Sequence, residues 1–593
     1  MAVGSNYPSV QPSLSLDFAN GQILDSRISF TRGSTGAYYP GTSVLAEQNL
    51  LTYSQDYTNA VWTKTAVTIT AAATTAPDGT TTGQTVTPDT STGTHNISTA
   101  TIGTATNSTL TVCAKANGYT FINLRLEGTS NFFNISTGVV GTIASGSTAT
   151  VTAINNGWYR CSVTRSVTVP TGIAVRVATA DNTDSFTGDG TSGIYLWGAQ
   201  LEQRSSATAY NATTTSALTN YIPQLLTAPI NQPRFDHDPV LGTSLGLLIE
   251  QSSTNLLTYS QDFSNAAWSK ARCSITSFAG IAPDGTQTMQ LLVEDTTASN
   301  SHPTFRTVTG FVSGTSYTFY AYIKPYGRTQ ANLAVSNTAF PSTTNVYFDI
   351  SAGTIVSSTN ATGTITAVGN GVYRCTLTAT ASASGSGDVY IQPAVSGSTI
   401  YTGNGYSGIY IWGAQIEALA FATSYIPTTT STVTRSADSA LISGTNFSPW
   451  YNQPQGTFYT EYARSSTVNQ LTTVFCAYAD TNNYVNYYGS AGNDFLYAAS
   501  QGTAAVLNQT YGSVTTSYKK FAVSLAVNNV IATYGGVGVT PVVDNTYPQP
   551  NNFTSLGIGQ NYSSGATFNG WIKKISYYQQ ALTSAQIQTL TSY

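Results

Sequence analysis

An internal duplication constrains the fold of this chain more than any other feature of its sequence. The phrase Asn-Leu-Leu-Thr-Tyr-Ser-Gln-Asp that begins at Asn49 returns unchanged at Asn255, and further matched phrases follow in the same order. Both copies close on Gly-Ile-Tyr-x-Trp-Gly-Ala-Gln-x-Glu, which begins at Gly193 and at Gly408. Two copies are too few for a solenoid, whose repeats need stacked neighbours. The chain therefore contains two related modules in tandem.

Short alternating runs indicate β-strands in both copies. In the first copy, apolar and polar residues alternate over residues 109–115, 148–154 and 173–177, with Asn-Gly or Asp-Gly pairs between such runs. Period-two runs separated by glycine turns are typical of antiparallel sandwiches. Each copy spans about 170 residues, the size of a jelly-roll domain with two packed sheets.

The segments outside the two copies also favour β-structure. Residues 14–18 and 27–32 alternate around an Asn-Gly turn, which predicts two short strands joined into a small N-terminal β segment. The prolines within 219–250 predict a connector that lies over the surface, because proline does not fit central strands. Residues 582–590 place apolar side chains at helical spacing and predict one short helix.

The predicted architecture is all-β: two tandem jelly-roll sandwiches, a third sandwich and a small N-terminal attachment segment. Its parts are an N-terminal arm and β attachment segment (1–44), module 1 (45–218), a proline-rich connector (219–250), module 2 (251–432), a bridging segment (433–455) and a final sandwich (456–593).

The composition narrows the range of partners. Only 8% of the 593 residues are charged, the net charge is −4, and 38 tyrosines accompany many Thr, Ser and Asn residues. Such a surface has no long-range field to attract nucleic acid or anionic lipid. No apolar run reaches the roughly 18 residues of a membrane span, and the N-terminus lacks the features of a signal peptide. We therefore expect neither nucleic-acid binding nor membrane insertion, and assembly in a cytoplasm.

The sequence gives little material for catalysis. It has three histidines and no nucleophile elbow, zinc-binding helix, phosphate loop or Cys-x-x-Cys pair. A glycosidase needs two carboxylates about 5–9.5 Å apart, and the acidic residues of the final sandwich are scattered singly. We expect a non-enzymatic protein.

Sugar binding suits the residues better. Aromatic rings stack on the apolar faces of sugars, while amides and hydroxyls bind their rims. Tyr484, Tyr487 and Tyr488 lie in the most tyrosine-rich stretch of the final sandwich and are candidate glycan contacts. Trp158 is a further candidate, because the second copy has Val372 in its place and the fold therefore does not require tryptophan there. Core packing is the alternative for each of these rings.

Several phrases resemble those of a family of tailed-bacteriophage virion proteins, often labelled tail fibre or minor structural proteins. They are Leu16-Asp-Phe-Ala-Asn20, Phe30-Thr-Arg32, Pro233-Arg-Phe-Asp-His-Asp-Pro239 and Gly246-Leu-Leu-Ile-Glu250. In that family the Phe-Thr-Arg phrase is soon followed by the Pro-Arg-Phe-Asp phrase, whereas here module 1 stands between them like an insertion. The modules resemble the jelly rolls of carbohydrate-binding modules. The final sandwich, with its ending at 570–590, resembles concanavalin A-like and laminin-G-like domains.

This resemblance implies a structural calcium in each module. The carboxylates nearest to the expected places are Asp56 and Glu202 in module 1, and Asp262 and Glu417 in module 2. Calcium takes six to eight oxygen ligands, so backbone carbonyls would have to supply the rest. We expect no other cofactor.

The resemblance also implies a function. The expected role is that of a virion tail fibre or receptor-binding protein, which contacts host surface polysaccharide and binds other virion proteins through its N-terminal segment. A homotrimer is expected, since packing around a threefold axis covers exposed edge strands. The alternatives are a capsid decoration protein or head fibre, and a secreted bacterial carbohydrate-binding protein.

Overall fold

A computed structural model of the chain describes residues 8–100, 107–166, 172–468, 471–490, 492–500, 503–535, 542–544, 552–563 and 568–592. Strands take up 54% of the described residues and helices 4%, so the predicted all-β class is confirmed. Within these ranges, no helix has the length and apolar character needed to cross a membrane. Residues 1–7 of the predicted N-terminal arm lie outside the described ranges.

The two modules have matching front sheets. The front sheet of module 1 contains, in order across the sheet, Val139–Ile143, Thr129–Asn134, Phe121–Leu126, Ile173–Ala178, Asn96–Ser98 and Thr63–Thr65. The front sheet of module 2 contains, in the corresponding order, Thr354–Thr359, Thr344–Asp349, Gln330–Ser336, Gly385–Ala394, Thr304–Phe311 and Ser269–Lys270. The repeat in the sequence is therefore a repeat of strand order.

The back sheets also correspond strand for strand. In module 1 the back sheet contains Ser147–Ala153, Tyr159–Ser166, Asn107–Asn117, Gly193–Glu202, Gly83–Pro88 and Val67–Thr74. In module 2 it contains Thr362–Ala367, Tyr373–Thr380, Ser316–Tyr326, Gly408–Glu417, Met289–Glu294 and Cys273–Gly280. In each module the inward side chains of the two sheets form one apolar core, which includes Leu110 and Leu124 in module 1 and Phe319 and Leu333 in module 2.

The final sandwich is assembled from distant parts of the chain, and we call it the split sandwich. Its first sheet contains Phe235–His237, Ser244–Ile249, Gly570–Tyr578, Gln455–Arg464, Lys519–Ala526, Asn529–Tyr534 and Val542–Asp544, with Leu14–Asp17 paired to Gly570–Tyr578. Its second sheet contains Ser29–Thr31, Ser439–Ser443, Ser555–Ile558, Thr472–Asp480, Asn483–Ser490, Asn493–Ser500 and Thr503–Ser513.

The two N-terminal strands do not form the separate small β segment that the sequence predicted. Leu14–Asp17 and Ser29–Thr31 do not pair with each other, because they join opposite sheets of the split sandwich. Leu14 and Leu16 are buried in its core, which explains why such short strands are stable. The Asn-Gly turn between them belongs to a short helix, Phe18–Gly21.

The proline-rich connector also contributes to the split sandwich. Ser244–Ile249 lies between Phe235–His237 and Gly570–Tyr578, and its Leu247 and Ile249 are in the core. The prolines of the connector stand outside this strand, so they do not interrupt its hydrogen bonds. The connector is therefore part of a sheet and not a surface linker, contrary to the prediction from its composition.

Each module is joined to the rest of the protein through a two-stranded antiparallel ribbon. Ser43–Asn49 and Leu218–Pro223 form the ribbon of module 1, and Ser253–Asn255 and Val433–Arg435 form that of module 2. A third short pair, Gly36–Tyr38 with Leu226–Ala228, lies between the ribbon of module 1 and the split sandwich. The chain thus leaves and re-enters the split sandwich twice, with a complete module at each excursion.

Buried charges lie where these segments meet, in a group that we call the junction cluster. Arg234 binds Glu250 (Nη1–Oε2 2.6 Å) and Asp438 (Nη2–Oδ2 2.5 Å). Arg32 binds the other oxygen of Asp438 at 3.0 Å, and Arg435 lies 3.5 Å from Glu250. Burial opposes ionisation of Glu250, but Arg435 and Arg234 lower its pKa to about 2. The cluster therefore takes Arg32 from the phrase Phe30-Thr-Arg32, Arg234 from Pro233–Pro239 and Glu250 from Gly246–Glu250.

The predicted C-terminal helix is present as Ser584–Ser592. Its Ile587 and Leu590 pack with Leu582, Tyr459 and Ala522 on the outer side of the first sheet of the split sandwich. The remaining short elements are the pair Thr92–Thr94 with Ser185–Thr187 and the 3-10 turns Asn155–Gly157 and Gly444–Asn446.

Candidate functional site

Two of the predicted glycan contacts are core residues. Tyr487 is fully buried, stacks on Phe521 with ring centroids 3.6 Å apart, and shares a hydrogen bond of 2.8 Å with the Tyr462 hydroxyl. Trp158 is also fully buried, and its indole Nε1 donates to the Thr75 carbonyl. Neither ring is accessible to a glycan, so these two assignments are corrected.

Compensating changes in side-chain volume explain why module 2 has Val372 at the position of Trp158. In module 1, Trp158 packs beside Cys113, and in module 2 the corresponding pair is Val372 and Tyr322. One position becomes smaller as the other becomes larger, so the filled volume is kept. The difference between the copies at this position therefore reflects core packing.

Tyr484 and Tyr488 lie on the outer face of the second sheet of the split sandwich, half-buried. Tyr484 stacks on Tyr497 (5.6 Å) and contacts Tyr562 (4.5 Å), while Tyr488 stacks on Phe495 (5.6 Å). We call these five residues the aromatic strip. The strand places Tyr487 on the opposite side from its neighbours, since successive side chains of a strand alternate between faces.

The four carboxylates that were predicted to bind calcium accept hydrogen bonds from other groups of the protein. Glu202 accepts from the amide and hydroxyl of Thr208, and Glu417 accepts from Ser253 and from the amide and hydroxyl of Thr423. Burial raises the pKa of both glutamates. Buried glutamates held in this way do not fit a calcium site, which needs ionised and free oxygens.

The two aspartates show the same pattern. Asp56 accepts from the amide and hydroxyl of Thr58, and Asp262 accepts from Ser264 and Asn265. These are local turns in which the carboxylate binds the backbone two or three residues further on. Among the described residues, no three His, Cys, Asp or Glu side chains are grouped so that they could hold a metal ion.

A second aromatic surface lies on the outer face of the front sheet of module 2. Phe305 and Tyr390 stand opposite each other on paired strands and stack, with ring centroids 5.1 Å apart and planes at 20°. Both side chains are half-exposed. The two rings form a flat apolar platform in the middle of the sheet.

Two buried amide side chains lie beside this platform. Two residues further along the strands, Gln392 stands opposite Asn332, and its Nε2 donates to the Asn332 Oδ1 at 2.9 Å. Asn332 in turn donates to the Val346 carbonyl, and Tyr347 is the next residue across the sheet. On the other side of the platform, Asp388 accepts from the Thr307 hydroxyl at 2.6 Å. We call this set of residues the platform site.

Module 1 is built differently at the same positions. Strand pairing places Ala174 and Ser98 where module 2 has Tyr390 and Phe305. Asp184, from the loop that follows the strand, accepts from Asn123 (2.7 Å) and Arg176 (2.9 Å) and covers the buried Asn123. The front face of module 1 therefore has neither the aromatic pair nor the Asn–Gln pair of module 2.

The sequence contained a signal for the platform site. The positions of Phe305 and Tyr390 hold aromatic residues in module 2 and not in module 1, just as the position of Trp158 holds one in module 1 and not in module 2. Their positions on one face become evident once the strands are paired, since they are 85 residues apart in the chain and join through non-local pairing.

No protein-family profile matches the chain, and no curated protein matches it in sequence. Several solved structures are similar. A carbohydrate-binding module (CBM40) of a Ruminococcus gnavus sialidase has 14% identity and a TM-score of 0.20, covering 24% of this chain and 84% of its own. The tandem CBM22 domains of Paenibacillus barcinonensis Xyn10C have 10% identity and a TM-score of 0.20, with 64% and 98% covered. The LG1-3 region of the laminin alpha2 chain has 10% identity and a TM-score of 0.20, with 84% and 98% covered.

Proposed function

We propose that the chain is a non-catalytic carbohydrate-binding protein and that the platform site of module 2 is its main glycan-binding surface. The observation that supports this most directly is the half-exposed stack of Phe305 and Tyr390, with the Asp388 carboxylate next to it. Stacked rings offer an apolar surface to the C–H face of a pyranose, and the Tyr390 hydroxyl and the Asp388 carboxylate at the edge of the rings suit its hydroxyls.

The aromatic strip is proposed as a second surface for the same class of ligand. Tyr484 and Tyr488, expected from the sequence, lie there with three further rings, and the strip carries hydroxyl groups and no charged side chain of its own. An uncharged row of aromatic rings is suited to an extended polysaccharide, which can contact several rings at once.

The wider setting that we propose is the particle of a tailed bacteriophage. The phrases around Arg32, Arg234 and Glu250 support it, because they resemble virion proteins and form the framework of the split sandwich. A tail fibre that contacts host polysaccharide suits a protein with two separate aromatic surfaces. A capsid decoration protein or head fibre is the alternative. Attachment through the N-terminal segment and a homotrimeric assembly are parts of this proposal.

The test is a glycan microarray with purified wild-type protein, followed by affinity measurement with the glycans that bind. Phe305→Ala and Tyr390→Ala should each weaken binding about tenfold, because a stacked aromatic contact contributes about 1 kcal/mol or more. Phe278→Ala is the matched control, since Phe278 is an exposed ring on the back sheet of the same module.

Unchanged binding in both platform variants would exclude the platform site. In that case Tyr484→Ala and Tyr488→Ala would test the aromatic strip. A protein that binds no glycan on the array, either alone or on phage particles, would contradict the proposed function.

A further inference from the structure

The platform site carries acidic groups and no cation of its own. Its outward residues lie in three rows across the sheet, with Tyr347, Asn332 and Gln392 in the first, Tyr390 and Phe305 in the second, and Asp388 and Thr307 in the third. Asp388 is thus next to the aromatic pair, on the side opposite the amides. Asp349 lies at the end of a strand of the same face.

We propose that the platform site selects uncharged glycans and rejects acidic ones, and that Asp388 is the residue that sets this preference. The inference rests on the proposed function and adds the chemical class of the ligand. Neutral hexose or N-acetylhexosamine chains fit it, whereas chains with uronic or sialic acid carboxylates do not.

The position of Asp388 gives it two effects on a ligand. Its Oδ1 accepts from the Thr307 hydroxyl at 2.6 Å, and its Oδ2 accepts from the Asn337 amide at 3.2 Å, so the carboxylate is fixed. The Tyr390 hydroxyl lies 3.5 Å from the same Oδ2. A sugar stacked on Tyr390 would therefore place its rim within reach of this carboxylate, which accepts hydrogen bonds from hydroxyls and repels a second carboxylate.

The cations closest in the fold are already engaged with backbone carbonyls. Lys270, on the edge strand of the same sheet, donates to the carbonyls of Ser264 and Asn265 at 2.7 Å. Arg306, the neighbour of Phe305 in the chain, donates to the Thr258 carbonyl at 3.1 Å. Both contacts direct the charges to the loop at residues 258–265. Among the described outward positions of the face, the charged side chains are Asp388 and Asp349, and both are acidic.

Module 1 has a different set of charges at the same place. Its front face carries Arg125 and Arg176, with Asp184 paired to Arg176. The position equivalent to Asp388 is Gly172, one residue before the strand Ile173–Ala178. The acidic group is therefore a feature of the copy that has the aromatic platform.

The experiment compares two forms of one glycan. The neutral glycan that binds best on the array is oxidised at its primary alcohols, which converts its hexoses to uronic acids without changing the backbone. We expect the wild-type protein to bind the neutral form at least about tenfold more tightly than the oxidised form at low salt. At 0.5 M salt the difference should shrink, because screening acts within a few ångströms at that concentration.

Two substitutions of the same residue test the assignment. Asp388→Asn should reduce the discrimination severalfold, and Asp388→Lys should reverse it so that the oxidised form binds more tightly. Asp181→Asn, in module 1, is the matched control and should leave the ratio unchanged. Thermal unfolding of each variant shows that the fold is kept.

The outcomes separate this inference from the proposed function. If the wild-type protein binds the oxidised form as tightly as the neutral one, or if both Asp388 variants keep the wild-type ratio, the inference fails although glycan binding stands. If the array finds acidic glycans alone, the inference fails as well. If no glycan binds at all, the proposed function fails, and the inference fails with it.

Discussion

Arg234 and Asp438 are 204 positions apart in the chain, and they form an ion pair of 2.5 Å with both side chains fully buried. Arg234 precedes module 2 and Asp438 follows it. The pair therefore joins the two ends of an excursion of the chain, and Arg32 adds the segment that precedes module 1.

Removing Asp438 should destabilise the protein strongly. Asp438→Ala leaves Arg234 and Arg32 buried without their shared partner, and breaking a buried pair in this way costs about 3–5 kcal/mol. Urea unfolding followed by tryptophan fluorescence measures the loss. Asp25→Ala is the control, because the Arg27–Asp25 pair is partly exposed to solvent and surface pairs contribute about 1 kcal/mol or less. Equal effects of the two substitutions would contradict the role of the junction cluster.

Either module should be removable without loss of the split sandwich. Asn49 pairs with Leu218 at the outer end of the ribbon of module 1, and Asn255 pairs with Val433 at that of module 2. Joining each pair through an Asn-Gly turn should convert the ribbon into a hairpin. Circular dichroism and limited proteolysis should show a folded remainder in both cases.

The same two deletions test where glycan binds. We expect the protein without module 1 to keep platform-site binding and the protein without module 2 to lose it. Loss of the fold on either deletion would show that the modules are needed for the sandwich to form.

Substitutions at Cys113 and Trp158 should have non-additive effects on the free energy of unfolding. Trp158→Val alone leaves a cavity in module 1 and should cost about 3 kcal/mol or more. Adding Cys113→Tyr restores the arrangement found in module 2 and should recover a large part of that loss. A double-mutant cycle gives the interaction energy. Additive effects would mean that the two positions do not share one volume.

Asp236 should make stability depend on pH in an unusual direction. Burial raises its pKa to about 6, although the Tyr39 amide and the Trp571 indole donate to it. Because the folded-state pKa is above the ordinary value of 3.8, the folded protein holds a proton that the unfolded chain releases between about pH 4 and pH 6. The contribution of Asp236 to stability therefore falls as the pH rises through this window, by about 2–3 kcal/mol in total.

The prediction for Asp236 is checked by comparing the unfolding of the wild-type protein with that of Asp236→Asn over a range of pH. The free energy of unfolding of the wild-type protein minus that of Asp236→Asn should decrease from pH 4 to pH 6.5 and be constant above that. Asn cannot titrate, so the variant removes this contribution and keeps the others. A difference that is flat across the whole range would contradict the raised pKa.

The sequence was informative where the structure depends on local pattern. Period-two runs located the strands of module 1 that contain residues 109–115, 148–153 and 173–177, and the spacing of Leu582, Ile587 and Leu590 located the helix Ser584–Ser592. The pairing of Leu14–Asp17 with residues 574–577 was not predictable in this way, because nothing local to either strand specifies a partner at the other end of the chain. The connector was misjudged for a similar reason, since proline density describes the turns and says nothing of the strand between them.

The candidate site was predictable where it depends on alternation along one strand, and not where it depends on the pairing of distant strands. Tyr484 and Tyr488 share a parity on their strand and lie outside, while Tyr487 has the opposite parity and lies in the core, so alternation alone could have separated them. The platform site could not be assembled from the sequence, because Phe305 and Tyr390 meet only through the register of two strands that are distant in the chain.

The ribbons determine how a mechanical load would pass through the protein. A pull on module 2 away from the split sandwich draws Ser253–Asn255 and Val433–Arg435 in the same direction, along their length. The hydrogen bonds between them run across the strands, so this pull neither peels nor shears the ribbon. The force continues into Ser244–Ile249 in one sheet and Ser439–Ser443 in the other. Tension on a tethered ligand would thus be divided between both sheets of the sandwich, and no single strand would bear all of it.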